Sequence, residues 1–70
     1  MEKKVGITCD NYKVEKFKYE LKKAGFNNFN VVPDKNLNLS AIIVTCTEKD
    51  FFTLGILCQD VEEHFKAIKN

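Results

Sequence analysis

The stretch Leu39-Ser40-Ala41-Ile42-Ile43-Val44-Thr45-Cys46-Thr47 decides the architecture. Its centre, Ala41-Ile42-Ile43-Val44, is apolar at successive positions, so an extended chain would carry apolar side chains on both faces. That pattern fits a strand covered from both sides or flanked by two neighbours. It predicts a strand over 39–47 in the middle of a sheet. Upstream, Phe29 to Val32 reads as a shorter strand closed by Pro33, which cannot donate a ladder hydrogen bond and suits a strand end or sheet edge. Asp34-Lys35-Asn36 supplies the turn between the two strands. Downstream, Thr47 followed three positions later by Asp50 resembles a capping box with Asp in place of Glu, opening a helix over about 48–68. Its predicted core stripe is Phe51, Leu54, Cys58, Val61, Phe65 and Ile68.

Toward the start of the chain, residues 4–9 alternate Val5, Ile7 and Cys9 against Lys4, Gly6 and Thr8, the period of a half-buried strand. Asp10 or Asn11 can cap a helix over about 11–24 that Gly25 stops, with Val14, Phe17, Leu21 and Ala24 as its inner stripe. The order strand, helix, strand, strand, helix is an α+β layout, a single small domain over residues 1–70. A right-handed crossover of the first unit, with the third strand inserted, predicts a three-stranded, mostly antiparallel sheet of order 1-3-2 with both helices on one face. This layout resembles a ferredoxin-like split βαβ fold that lacks its last strand. The resemblance is one of element order, and the topology hosts many unrelated functions, so it implies no activity. The absent strand would have lain beside the first one. Lys4 to Cys9 is therefore expected as an open edge with which another chain, including a second copy, could pair, although Lys3 and Lys4 would blunt it.

Composition narrows the chemistry. A chain of 70 residues has no room for a large enclosed catalytic cleft. All 11 basic residues are Lys, so the planar fork that grips phosphate, carboxylate or guanine bidentately is missing. Net charge is only +1, although residues 1–35 hold eight lysines against five acids and residues 36–70 three against five. Cys9, Cys46 and Cys58 are odd in number, contain no CxxC pair, and follow a Met-Glu-Lys-Lys start with no apolar signal segment, which predicts free thiols in a cytoplasmic protein. The uncharged stretch Phe51 to Gln59 is far short of the roughly 20 apolar residues that span a bilayer, so no membrane partner is expected. A Cys9, Cys46, Cys58, His64 zinc site lacks any closely spaced ligand pair. With no base spaced to activate a thiol, neither metal, cofactor nor catalytic residue is expected, and the chain reads as no enzyme.

Three surfaces remain. Tyr12, Lys16, Tyr19 and Lys23 fall opposite the core stripe of the first helix, a docking face for an acidic protein surface or, alternatively, a nucleic-acid backbone. Against this, Tyr rings and Lys stems often simply cover neighbouring apolar surface. Phe52 and Ile56 lie outside the second helix's stripe, either for self-association or beneath the 34–39 loop with Leu37. The outward sheet face, Gly6, Thr8, Asn30, Val32, Ala41, Ile43 and Thr45, could take a ligand at the seam of a small-molecule-sensing dimer, or be solvated. The expected function is a small non-enzymatic protein-interaction module, a regulator or inhibitor that docks on a larger macromolecule, with a homodimer as a further expectation. Heavy use of Lys and Asn without Arg suggests an AT-rich genome, a setting in which phage or mobile-element inhibitors of host machinery are chains of this size.

Overall fold

The computed structural model describes residues 2–69, and side chains over residues 2–67. The chain runs β1 (Lys3–Asp10), α1 (Val14–Lys23), β2 (Phe29–Asp34), β3 (Leu39–Cys46) and α2 (Phe51–Lys69), and each helix is entered through a 3-10 turn, Asn11–Lys13 and Glu48–Asp50. The sheet order is β1-β3-β2 and both pairings are antiparallel, so the α+β architecture is the expected one with β3 in the middle.

The register explains why β3 is apolar at its centre. Ile42 stands opposite Ile7 on one side and Val31 on the other, and Val44 opposite Val5 and Phe29. Ile42 and Val44 face the helices and are fully buried, in one cluster with Phe17, Leu21, Leu54, Leu57 and Val61. Each such side chain contributes roughly 1.5–3 kcal/mol of apolar burial. The alternate residues Ala41, Ile43 and Thr45 are half-buried on the opposite face.

Two hydrogen bonds set the phase of the ladders. The Asn11 N–H donates to the Asn38 carbonyl at 3.2 Å, and the Thr45 N–H to the Asn28 carbonyl at 2.9 Å. Opposite residues in an antiparallel pair exchange bonds at every second position. It follows that Val5, Ile7 and Cys9 turn their backbone groups to β3, whereas Lys4, Gly6, Thr8 and Asp10 turn theirs to the free edge. On the other margin, Asn30, Val32 and Asp34 bond β3 while Phe29, Val31 and Pro33 point outward. Pro33 therefore does not close its strand as expected. It pairs opposite Ser40 because the N–H it lacks would have faced solvent, and β2 continues to Asp34. The turn falls at residues 35–38, where Asp34 Oδ1 accepts from the Asn36 N–H at 3.0 Å and Asn38 adopts φ 56°, a left-handed conformation Asn tolerates.

The helices depart from their predicted stripes at the ends. α1 stops at Gly25, φ 97°, with the Gly25 N–H donating to the Lys22 carbonyl (3.1 Å) and the Phe26 N–H to the Leu21 carbonyl (2.8 Å). These two hydrogen bonds turn the chain so that Phe26 enters the core, and Ala24, expected inside, is exposed. In α2 the buried centre is Leu54, Leu57 and Val61, with Cys58 and Phe65 at its margin. Leu57, absent from the predicted stripe, is 6% exposed, and Phe51, its expected first member, is 44% exposed. Phe51 lies roughly 60° around the helix from Leu54, on the β1 side, where the sheet ends. The Ile68 side chain lies outside the described residues. Thr47 and Asp50 form the expected capping box, the Thr47 N–H donating to Asp50 Oδ2 at 3.1 Å.

Candidate functional site

The apolar stripe of α2 is wider than the sheet beneath it. Phe51, Gly55 and Cys58 sit on the flank that reaches toward β1, above the half-buried Val5 and Ile7. Together with Leu54 they line a mostly apolar groove of about 500 Å³ beside β1. Among the described residues no strand pairs with this side of β1, so its outward N–H and C=O groups lie beside uncovered apolar surface. Gly55 adds a second unfinished feature: a Cβ built there would meet nothing within 4 Å. A glycine inside a helix costs about 1 kcal/mol relative to alanine, and no close packing among the described residues requires this one.

Charges frame the site. Glu62, at the groove, accepts a hydrogen bond from Lys13 Nζ at 2.7 Å, joining α2 to the turn before α1. That bond holds the Lys13 ammonium above the usual lysine range. Lys13 also stands 3.9 Å from Asp10 Oδ2 at the end of β1. Lys3 pairs with Glu48 at 3.0 Å.

The residues expected to form a face on α1 are divided. Lys16 and Lys23 place their ammonium groups 5.2 and 5.8 Å from the centroid of the Tyr19 ring, which is 58% exposed. Lys16 is also paired with Glu20 at 3.2 Å, which offsets its charge. Tyr12 does not join them. It lies in the 3-10 turn, whose tighter rotation moves it off its helical-wheel position, and its ring meets the edge of Phe65 with centroids 5.3 Å apart. Phe52 (78% exposed) and Ile56 (44%) point away from the sheet. The 34–39 loop does not cover them, because Asn11 pins it at the end of β1: Asn11 Nδ2 donates to Asn38 Oδ1 at 3.0 Å and Ser40 Oγ donates to Asn11 Oδ1. Leu37 in that loop is itself exposed. On the outer sheet face Gly6, Thr8, Asn30 and Val32 are exposed.

All three cysteines are free thiols, Cys9 and Cys46 buried and Cys58 partly so, and burial pushes each one's pKa up. Such thiols are poor nucleophiles at neutral pH. His64 is exposed, its ring set edge-on to Phe65 at 5.1 Å. Among the described residues no three His, Cys, Asp or Glu side chains gather where they could hold a metal ion, and no helix is long and apolar enough to cross a membrane. The groove is what sequence reasoning missed. Its signal was present in Phe51, Gly55 and Cys58, spaced along one helix flank beside a strand expected to be open. Comparison with protein-family models, curated proteins and solved structures finds no match for this chain, so the likeness to the ferredoxin-like topology rests on element and strand order alone.

Proposed function

We propose that this chain is a non-enzymatic protein-interaction module that works by completing its sheet at β1 with an extended segment of a partner. The observation that carries this reading is the coincidence of an unpaired backbone edge with an apolar groove beside it. Strand addition uses both features: main-chain hydrogen bonds supply affinity, and a pocket for alternate side chains supplies selectivity. The partner segment would present an apolar side chain at every second position toward Phe51, Leu54 and Cys58. A regulator or inhibitor built this way acts by occupying a strand or surface its target needs elsewhere.

A second reading places the docking on α1, where Tyr19 stands between two ammonium groups and suits an acidic protein surface. A nucleic-acid backbone suits it less, since Glu20 offsets Lys16 and Asp60, Glu62 and Glu63 on α2 would repel phosphate. A photo-crosslinking residue placed at Thr8, and separately at Tyr19, distinguishes these. Capture of one defined protein at Thr8, insensitive to nuclease, is the expected result. Capture at Tyr19 alone would move the docking to α1, and capture abolished by nuclease would replace the reading with nucleic-acid binding.

A further inference from the structure

We infer that the occupant of the β1 edge is a second copy of this chain, paired antiparallel about a two-fold axis with Ile7 opposite Ile7 of the second copy. This rests on the strand-completion reading above and names its partner. A two-fold axis through two antiparallel edges stands perpendicular to the sheet, so both helical layers lie on one side and the inward residues of one copy align with the inward residues of the other. The groups free to bond across the axis are the N–H and C=O of Lys4, Gly6 and Thr8 and the N–H of Asp10, whose carbonyl opens the 3-10 turn, as the ladder phase shows. Two registers satisfy these conditions over most of the strand. Gly6 opposite Gly6 places Lys4 opposite Thr8. Ile7 opposite Ile7 places Gly6 opposite Thr8, Val5 opposite Cys9 and, twice, Lys4 opposite Asp10.

The charges select the second register. Among the described residues Lys4 makes no ion pair. Asp10 forms no side-chain capping bond, and its nearest ammonium, Lys13 at 3.9 Å, makes its short bond to Glu62 instead. An Asp directly across from a Lys on a solvated sheet face is a favourable pair, and like charges there are unfavourable. The strand is thus self-complementary in backbone, apolar face and charge at once. The pairing extends the sheet to six strands, brings the two grooves together, and sets Gly55 of each α2, with open space above it, where another backbone can come close.

Sedimentation equilibrium of the full chain, with Lys4→Asp, Asp10→Lys and the double exchange Lys4→Asp/Asp10→Lys, tests the pairing, each variant first checked for native circular dichroism. The wild type should dimerise reversibly. Each single reversal turns two attractive pairs into two repulsive ones and should weaken association about tenfold. The double exchange restores opposite charges and should return to within about threefold of wild type. Dimers indifferent to all three variants would overturn the register and with it the proposal. A wild type that stays monomeric at millimolar concentration would overturn the second copy as occupant. If the Thr8 crosslinker then still captures a foreign protein the interaction-module reading stands, and if it captures nothing both fall.

Discussion

At one margin of the sheet β2 turns Phe29, Val31 and Pro33 outward, so one of three edge positions has no N–H to offer. At the other margin β1 turns out Lys4, Gly6, Thr8 and Asp10, every one with a donor. The helical layer differs in the same sense. The chain leaving α1 tucks Phe26 into the core on its way to β2, whereas α2 leaves Phe51 44% exposed beside β1. Proline on an edge is a common way to keep strands from pairing with strangers. A bare strand edge alone would mean little, and so would an apolar groove alone. Their meeting at β1, opposite an edge that is blunted, is what marks β1 as the docking margin.

The largest effect is expected at Ile7. Its N–H faces β3, so Ile7→Pro removes an interior ladder bond and leaves its partner carbonyl unpaired, which should cost several kcal/mol, measured by urea denaturation. Thr8→Pro instead gives β1 the device β2 already has. It should change monomer stability by less than about 1 kcal/mol while abolishing docking at the edge. Equal damage from both substitutions would show the ladder phase to be wrong.

In the helical layer Leu57 and Phe51 differ in the same way. Leu57→Ala should cost about 2–4 kcal/mol because its side chain is enclosed. Phe51→Ala should cost about 1–2 kcal/mol in the monomer, less than Leu57→Ala because its ring is 44% exposed, yet should weaken association at β1. Denaturant midpoints of the two variants at low protein concentration decide this.

Alkaline pH acts more gradually. The Cys9, Cys46 and Cys58 thiols titrate above the ordinary value of 9.0 in the folded chain because burial disfavours the thiolate. Stability from this source is complete below pH 9 and falls as pH rises beyond it, because the unfolded chain releases protons that the folded chain retains. The melting temperature should therefore decline above pH 9, and less steeply in Cys9→Ala/Cys46→Ala. The smallest effect is a gain: Gly55→Ala places a methyl where nothing lies within 4 Å and should stabilise the monomer by about 0.5–1 kcal/mol, visible as a small rise in melting temperature.

Much of the fold was legible because each element carries its own periodicity. The doubly apolar centre of β3 placed it in the middle, the alternation of Val5, Ile7 and Cys9 made β1 a half-buried strand, and Thr47 with Asp50 opened the second helix. What was misread depends on neighbours rather than on local pattern. Pro33 looked like a strand end because the phase of a ladder depends on which side its partner lies. Phe51 looked like core because its spacing to Leu54 and Cys58 is helical, and only the end of the sheet at β1 leaves it uncovered. Tyr12 left its expected face because the first turn is 3-10, and Ala24 gave way to Phe26 when the Gly25 turn folded back. The α1 triad of Lys16, Tyr19 and Lys23 was legible from the helical wheel, whereas the groove needed two elements that are distant in sequence to be placed side by side.

Amide hydrogen exchange along β1, followed by NMR from dilute to concentrated protein, tests whether β1 is an open docking edge. In the dilute chain Val5, Ile7 and Cys9 should be protected by β3 while Gly6 and Thr8 exchange at nearly the rate of open backbone, and Gly6 and Thr8 should become protected as a strand is added across the edge. Gly6 and Thr8 amides already protected at high dilution, or still unprotected in the associated state, would contradict an open β1 edge as the docking site.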